Sequence, residues 1–274
     1  MTKRLSLFAL VLAAMLPLAA SASEGPETLE AGTHMNDQAS LQRGATLFMN
    51  YCSGCHSLKY QRYSRIGEDL GLTEAQVAQN FVFSGVKPGE HITVAMNPVD
   101  AAAWLGKAPP DLSLEGRSRG PDWIYTYLKS FYVDEGRPLG WNNTLFPNAS
   151  MPNVLWQLQG VQYPVFEPKK HRQVSCDVSS DKSCQGGKKD QEFCPEGHVD
   201  VGKQCIASLK LVDKGQLSPE EYDQAARDIS AFLQYVGEPA AMQRESWGVW
   251  VILFMAVFTF LAYMLKHEYW RDVH

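Results

Sequence analysis

The 274-residue sequence predicts a mainly α-helical exported domain with loop insertions and a single C-terminal transmembrane helix. Three observations predict this fold class: an N-terminal segment typical of export, several stretches with apolar residues at helical spacing, and one long apolar stretch near the end of the chain. Hydrophobic residues make up 45% of the sequence, which is enough for at least one full core and excludes a chain that is disordered throughout.

Residues 1–22 have the features of a secretory signal peptide. Lys3 and Arg4 form the positive start, an apolar run follows over 5–20, and Ala20-Ser21-Ala22 offers small residues for cleavage. An uncleaved anchor helix is the alternative, and either one exports the rest of the chain. Removing this segment takes away two cations and changes the formal net charge from −5 to −7. Such an acidic domain disfavours nucleic acid as a partner and favours a basic protein.

Two longer helices are predicted at the two ends of the exported domain. The first covers 37–51, and its Gly44 would let another helix approach closely. The second begins at the capping box of Ser218 and Glu221 and ends at Gly237. We expect the second helix to cross the first, because each has an apolar face: Leu41, Ala45 and Phe48 on the first, and Tyr222, Ala225, Ile229, Phe232 and Val236 on the second.

Two shorter helices are predicted between them. One begins at the capping box of Thr73 and Gln76, and the other opens at Gly120-Pro121. We expect both to form walls of the functional site. The second of them has an apolar face made of Trp123, Ile124, Tyr127, Leu128 and Phe131.

Residues 247–265 carry no charged side chain. At about 1.5 Å per residue, a helix over this stretch would reach roughly 28 Å, close to a hydrocarbon core of about 30 Å. The sequence therefore predicts a transmembrane anchor over 244–265 and a cytoplasmic tail over 266–274, whose Lys266 and Arg271 agree with the positive-inside rule. A buried core helix is the alternative, which the absence of a polar face disfavours. Aromatic residues mark both ends of the stretch: Trp247, Trp250, Tyr263, Tyr269 and Trp270.

Cys52-Ser53-Gly54-Cys55-His56 matches the C-x-x-C-H pattern of c-type haem attachment. In this pattern two thiols add to the porphyrin vinyl groups, and the next histidine becomes the proximal ligand of the iron. The segment Cys194-Pro195-Glu196-Gly197-His198 lacks the second cysteine and does not repeat the motif. The sequence therefore predicts one haem c, attached through Cys52 and Cys55, in a class I cytochrome c-like helical haem domain.

The sixth iron ligand distinguishes an electron carrier from a haem enzyme, because a thioether closes the iron and an empty position invites small ligands. The chain has nine methionines. Position excludes as distal ligand those in the signal peptide, those in or beside the transmembrane span, and those near the C-x-x-C-H motif, which leaves Met96 and Met151. Met151 lies between Pro147 and Pro152, which favour an extended loop over the far haem face. Met151 is preferred and Met96 is second; core packing is the alternative role for either.

Four features occur in a fixed order over most of the chain. They are CSGCHSLKY at 52–60, APPDLS at 108–113 followed by Arg117 and Arg119, Phe146-Pro147 before Met151, and the lone C-terminal span. This ordered set resembles cytochrome c1, the haem-bearing subunit of the ubiquinol:cytochrome c reductase (cytochrome bc1) complex.

The resemblance implies roles for individual residues. It implies His56 and Met151 as the axial iron ligands and Arg119 as the partner of a haem propionate, since a buried anion needs a cation. An ordinary surface position is the alternative for Arg119. Pro110 is expected to pack near the haem on the side of His56, where a nearby backbone carbonyl would fix the imidazole tautomer.

The resemblance also implies a place in a complex. The chain would be an electron-transfer subunit of ubiquinol:cytochrome c oxidoreductase, accepting an electron from a Rieske iron-sulfur protein and donating it to a cytochrome c. Cytochrome b would be a further partner subunit, and quinol chemistry would belong to other subunits. The expected location is the bacterial inner membrane, with the haem domain, residues 23–243, on the periplasmic side.

The segment 169–205 departs from the family pattern. Its composition shifts to Lys, Ser, Gly and Asp, and export favours disulfides between its cysteines, with three possible pairings. A zinc site is the alternative. The segment holds the four remaining cysteines of the chain: Cys176, Cys184, Cys194 and Cys205.

Two sets of polar residues support less specific predictions. Histidines without metal-ligand spacing are predicted to lie on the surface: His34, His91 and His171. Acidic residues could dock a basic cytochrome c, although solvated faces explain them equally well: Glu68, Asp69, Glu74, Asp134 and Glu135.

Three functions follow from these patterns. The first is an electron carrier with a closed His/Met iron. The second is a haem enzyme or gas sensor, which requires that Met151 does not bind the iron. The third is a cytochrome c subunit of a terminal oxidase, which only the resemblance argues against.

Overall fold

The computed structural model describes residues 27–176 and 188–271, and the predicted signal peptide lies outside these ranges. The helices within them are α1 (Gln38–Tyr51), α2 (Tyr63–Asp69), α3 (Glu74–Asn80), α4 (Pro98–Leu105), α5 (Glu115–Ser118), α6 (Pro121–Lys129), α7 (Trp156–Gln159), α8 (Pro219–Gly237) and α9 (Ala240–Tyr269). The strands are β1 (Leu58–Arg62), β2 (His91–Ile92), β3 (Phe131–Val133), β4 (Trp141–Asn143), β5 (Gly160–Pro168), β6 (Lys170–Ser175), β7 (Lys188–Phe193), β8 (Val199–Asp200) and β9 (Gln204–Lys214). The predicted helical domain with a C-terminal apolar helix is confirmed.

The core forms where α1 crosses α8, as predicted. A Cβ atom placed on Gly44 would lie 2.0 Å from the backbone oxygen of Asp228 and 2.8 Å from Cβ of Phe232. Only a residue without a side chain allows this approach. One turn further along α1, the fully buried rings of Phe48 and Phe232 have centroids 5.6 Å apart. The crossing therefore holds in place the helix that leads into the C-x-x-C-H motif.

A buried carboxylate joins the same two helices. Asp228, whose side chain is 2% exposed, accepts hydrogen bonds from Ser40 Oγ at 2.5 Å and from Gln224 Nε2 at 2.8 Å. Arg43 donates to both carboxylate oxygens, from Nε at 2.7 Å and from Nη2 at 3.0 Å. Because four donors surround it, the charge is both paired and fully hydrogen-bonded, which a buried carboxylate requires.

The Asp228→Asn variant should be less stable than the wild type. The amide keeps the shape but loses the charge and turns a donor toward other donors, so the free energy of unfolding should fall by about 2 kcal/mol. Thermal unfolding of the purified holoprotein measures this change. Asp213→Asn, at an exposed position on β9, is the control that should leave stability within about 0.5 kcal/mol of the wild type. If the two variants are equally stable, the hydrogen bonds of Asp228 do not contribute measurably to the free energy of unfolding.

The capping signals locate the helix starts correctly. Thr73 accepts a hydrogen bond from the backbone N–H of Gln76, and Ser218 accepts one from that of Glu221, so both predicted capping boxes are present. The helix predicted after Gly120 is α6, and Gly120 has a φ of 87°. Its apolar residues divide between two sides: Ile124 and Leu128 are buried in the core, whereas Trp123 and Tyr127 stack on each other with centroids 5.0 Å apart.

The segment 169–205 and the residues that flank it form strands. β5 and β9 pair antiparallel from Gly160 opposite Lys214 to Pro168 opposite Gln204, and β8 lies on the other side of β9. β6 and β7 form a separate hairpin within the segment 169–205. Helix periodicity and capping do not reveal β6 and β7, because their residues are mostly polar and exposed.

The structure settles one pairing among the insertion cysteines. Cys194 is bonded to Cys205, which joins the residue after β7 to β9. Cys176 is also disulfide-bonded, and Cys184 lies outside the described residues. The predicted use of these cysteines in disulfides is confirmed for the described ones, and it replaces the zinc alternative, since a sulfur in a disulfide is not a thiolate ligand.

The C-terminal helix is long and apolar enough to cross a membrane. Within α9, the segment Trp247–Tyr269 spans 23 residues with a mean hydropathy of 2.3, and none of its most apolar window is buried against the rest of the protein. The buried-core alternative is therefore wrong for this helix. The helix starts at Ala240, four residues before the predicted anchor 244–265, and only Glu238 and Pro239 separate it from α8.

Candidate haem site

The C-x-x-C-H motif forms a tight turn at the end of α1. The backbone N–H of Cys52 donates to Phe48 O at 2.8 Å, so the first cysteine is the C-cap of α1. The N–H groups of Cys55 and His56 both donate to Cys52 O, at 3.0 and 2.9 Å. Neither Cys52 nor Cys55 is in a disulfide, so both sulfurs are available for thioether bonds.

The imidazole of His56 is buried and oriented by a backbone carbonyl. Its Nδ1 lies 2.7 Å from Pro110 O, so Nδ1–H donates to that oxygen and Nε2 is the nitrogen left for a metal. Burial lowers the pKa of His56, and the Pro110 carbonyl acts in the opposite direction. A neutral imidazole with one nitrogen occupied in this way has the form of a metal ligand.

The predicted propionate partner lies against the loop that leads to Met151. The guanidinium of Arg119 sits 4.2 Å from the ring centroid of Trp123 and 5.6 Å from that of Phe146. Its Nε is 3.1 Å from a carboxylate oxygen of Glu115. The side chain is 42% exposed, so the guanidinium can still bind an anion. The structure thus brings Arg119 and the 144–151 loop to one side of α6.

Asparagine side chains hold the loop that carries Met151. Asn143, fully buried, accepts hydrogen bonds from the N–H groups of Leu145 and Phe146, both at 3.0 Å. Asn142 accepts one from Asn148 N at 2.8 Å, and Asn148 itself has a φ of 65°. Asparagine tolerates this left-handed conformation and bonds well to nearby backbone groups. Sequence reasoning missed these residues, although the cluster of asparagines around Phe146-Pro147 was a visible turn signal.

Met151 is half-buried and follows this anchored loop by three residues. Asn153, on its other side, is buried, accepts from Leu155 N at 3.1 Å and donates to Gln159 Oε1 at 2.8 Å. Met96 is half-buried too, but its segment is held by a hydrogen bond from Val94 N to Ser57 Oγ at 2.9 Å. Met96 therefore follows a segment tied to the residue next to His56, whereas Met151 belongs to a separate loop.

The other candidate residues are exposed or hydrogen-bonded within the fold. His34, His91 and His171 are exposed, as predicted, and no group of three or more His, Cys, Asp or Glu residues in the described ranges could hold a metal ion. Two acidic residues considered for docking are used inside the fold: Asp69 accepts from Tyr235 Oη at 2.7 Å, and Asp134 accepts from Asn142 Nδ2 at 2.8 Å. The exposed ones are Glu68, Glu74 and Glu135.

These residues fit a covalently attached haem. Two cysteines that form no disulfide stand at the required spacing, the adjacent imidazole has one nitrogen fixed and one left for iron, and a partly exposed arginine lies over an aromatic ring. Helix α6 supplies that ring and the stacked Tyr127, and its role as a wall of the site stays a prediction.

Comparisons with known proteins agree with this site. The Cytochrome C1 family model matches residues 29–181 and 184–273. A cytochrome c1 from Allochromatium vinosum is 49% identical over 269 residues, covering 97% of this chain and 99% of that protein. The ammonia monooxygenase gamma subunit of Nitrosomonas europaea is 36% identical over 238 residues, covering 87% and 85%. The mitochondrial cytochrome b-c1 complex catalytic subunit of Candida albicans is 24% identical over 255 residues, covering 86% and 73%.

The family match extends over both described ranges and includes the C-x-x-C-H turn, the Pro110 segment and the C-terminal helix. The chain therefore belongs to the Cytochrome C1 family and carries a covalently bound haem c.

Proposed function

We propose that this chain is the electron-transfer subunit of a cytochrome bc1 complex, taking single electrons from a Rieske iron-sulfur protein and passing them to a cytochrome c. Family membership and the names of the relatives support a bc1 haem subunit with cytochrome b as a neighbour. The observation that carries the proposal is the C-x-x-C-H turn whose histidine is buried and oriented by Pro110 O. No quinol chemistry is assigned to this chain.

The chain's own residues would hold and enclose the cofactor. Haem c supplies the one-electron redox couple. Cys52 and Cys55 would anchor it covalently, while Nε2 of His56 and the sulfur of Met151 would bind the iron from opposite sides. An iron closed in this way has no position for a substrate, which favours electron transfer over the enzyme or sensor alternative.

The loop anchors support Met151 as the distal ligand. Hydrogen bonds to Asn148 and Asn153 restrain the chain on both sides of it, so its sulfur can be held at a defined place. Met96 follows a segment tied to Ser57, the residue after the proposed proximal ligand, which favours Met151 over Met96 as the distal ligand. Arg119 would neutralise a propionate, since its guanidinium is partly exposed and held over Trp123.

The membrane arrangement follows from the charge at the chain ends. Helix α9 would anchor the haem domain on the periplasmic side of a bacterial inner membrane, with the tail after residue 265 in the cytoplasm. The exposed carboxylates of Glu68, Glu74 and Glu135 would then be available to a basic cytochrome c.

Rapid mixing of the intact, detergent-solubilised complex tests this function. Quinol should reduce the haem of this chain only through an intact Rieske cluster, and a basic cytochrome c should then reoxidise it. Because opposite charges steer the second step, its rate constant should fall as ionic strength rises through the range where the Debye length is about 10 Å.

Two controls make this experiment decisive. Inactivating the Rieske cluster should stop haem reduction by quinol while leaving reoxidation by cytochrome c unchanged. Haem reduction that proceeds at the same rate without the cluster, or a reduced haem that no cytochrome c oxidises, would contradict the proposal.

A further inference from the structure

The carbonyl that contacts His56 belongs to a segment in which one carboxylate makes two hydrogen bonds. Asp111 Oδ2 accepts a hydrogen bond from Lys59 N at 2.8 Å, and Asp111 Oδ1 accepts one from Ser113 N at 3.0 Å. The first bond crosses 52 positions of sequence and the second closes a local turn. This carboxylate thus helps to join the 109–113 segment to the chain immediately after the C-x-x-C-H motif, next to the bonds from Leu112 N to Ser57 O and from Tyr60 N to Ser113 Oγ.

Asp111 is also the residue best placed to orient the Pro110 carbonyl. Pro110 O and Asp111 N belong to the same peptide plane, and proline has no N–H with which to anchor itself. The next residue, Leu112, donates from its N–H to Ser57 O at 2.9 Å. Fixing Asp111 and Leu112 therefore fixes the plane whose oxygen lies 2.7 Å from His56 Nδ1.

The charge of Asp111 also reaches the imidazole. Asp111 directly follows the proline whose oxygen lies 2.7 Å from His56 Nδ1, so its carboxylate lies near the imidazole. A negative charge there favours the form of the haem that carries more positive charge. Ferric haem carries one more positive charge than ferrous haem, so this charge favours oxidised iron.

We propose that Asp111 is a positioning residue that lowers the reduction potential of haem c, by holding the Pro110 carbonyl against His56 and by placing a negative charge beside it. The inference rests on the proposed ligation of the iron by His56. A stronger hydrogen bond to Nδ1–H makes the imidazole a better donor, which stabilises ferric iron. The two effects of Asp111 therefore have the same sign.

A redox titration of the intact complex carrying Asp111→Ala tests the proposal. The reduction equilibrium of haem c should shift about tenfold toward the reduced form, a rise in potential of about 59 mV for a one-electron couple. A merely structural role gives the opposite sign, because a loosened site admits water, and a more polar environment favours the charged ferric form. The direction of the shift therefore decides between the two roles.

Two further variants keep the test interpretable. Asp111→Asn keeps one acceptor and the size of the side chain while removing the charge, so its potential should rise by less than that of Asp111→Ala. Ser113→Ala removes only the acceptor of the Tyr60 N–H, at 3.2 Å, and should leave the potential within about 20 mV of the wild type, a shift of about twofold. If Asp111→Ala does not assemble with haem, the sign of the Asp111→Asn shift decides.

The possible failures are distinguishable. A wild-type protein with a closed His/Met iron and an Asp111 variant whose potential falls or stays unchanged would overturn the role of Asp111 and leave the proposed function standing. A wild-type protein whose iron is not bound by His56 would remove the basis of both.

Discussion

Replacement of Met151 by alanine should open the iron on its distal side. The oxidised wild-type protein should show the weak far-red band of a sulfur–iron bond, and the reduced protein should not bind carbon monoxide. In the Met151→Ala variant the band should disappear, carbon monoxide should bind readily, and the reduction potential should fall, because a thioether ligand raises it. Absorption spectra of the purified complex, with and without carbon monoxide, measure the first two properties, and a redox titration measures the third.

Met96→Ala is the matched control for that experiment. Met96 is also half-buried, so its replacement removes a similar volume without removing the proposed ligand. The control should keep the far-red band and should exclude carbon monoxide. The opposite pattern, with the band lost in Met96→Ala and kept in Met151→Ala, would make Met96 the ligand. Ready binding of carbon monoxide to the wild type would favour the haem enzyme or sensor.

Replacement of Gly44 by alanine should cause the largest loss of stability among the single substitutions considered. The added Cβ would lie 2.0 Å from a backbone oxygen of α8, and a backbone atom cannot move aside as a flexible side chain can. The two helices must therefore separate around the pair of Phe48 and Phe232. We expect the free energy of unfolding to fall by about 3 kcal/mol, even though alanine favours helix more than glycine does.

Thermal unfolding of the holoprotein measures this effect, with an expected fall in Tm of roughly 6–12 °C. Gly89→Ala is the control, because a Cβ atom there meets no atom within 4 Å and its backbone conformation is one that other residues adopt. If Gly44→Ala and Gly89→Ala unfold at the same temperature, the helix crossing does not depend on close backbone contact. Haem content should be measured in both variants, since α1 leads directly into Cys52.

These two predictions concern the two elements that would supply the iron ligands. The crossing at Gly44 places α1, and α1 places the thiols and His56 on one side of the site. The asparagine-anchored loop places Met151 independently, through β4 and the turn before it. A change at Gly44 should therefore affect stability and haem attachment together, whereas a change at Met151 should affect the iron without unfolding the domain.

The sequence alone determined the features that depend on neighbouring residues. The capping boxes at Thr73 and Ser218 located helix starts, because a cap is a bond between residues three positions apart. The C-x-x-C-H spacing identified the haem motif, and the length of the apolar run identified α9, since a membrane has a known thickness. Each of these signals is complete within a short stretch of chain.

Only the tertiary structure decided which distant residues meet. His56 bonds to a carbonyl 54 positions away, Cys194 rather than another cysteine pairs with Cys205, and the polar insertion forms strands through pairing between segments. Such contacts depend on how the chain returns to itself, which begins with the α1–α8 crossing that Gly44 permits. Local patterns do not encode that path, because many chain paths satisfy the same helix signals and only packing of the whole core selects one.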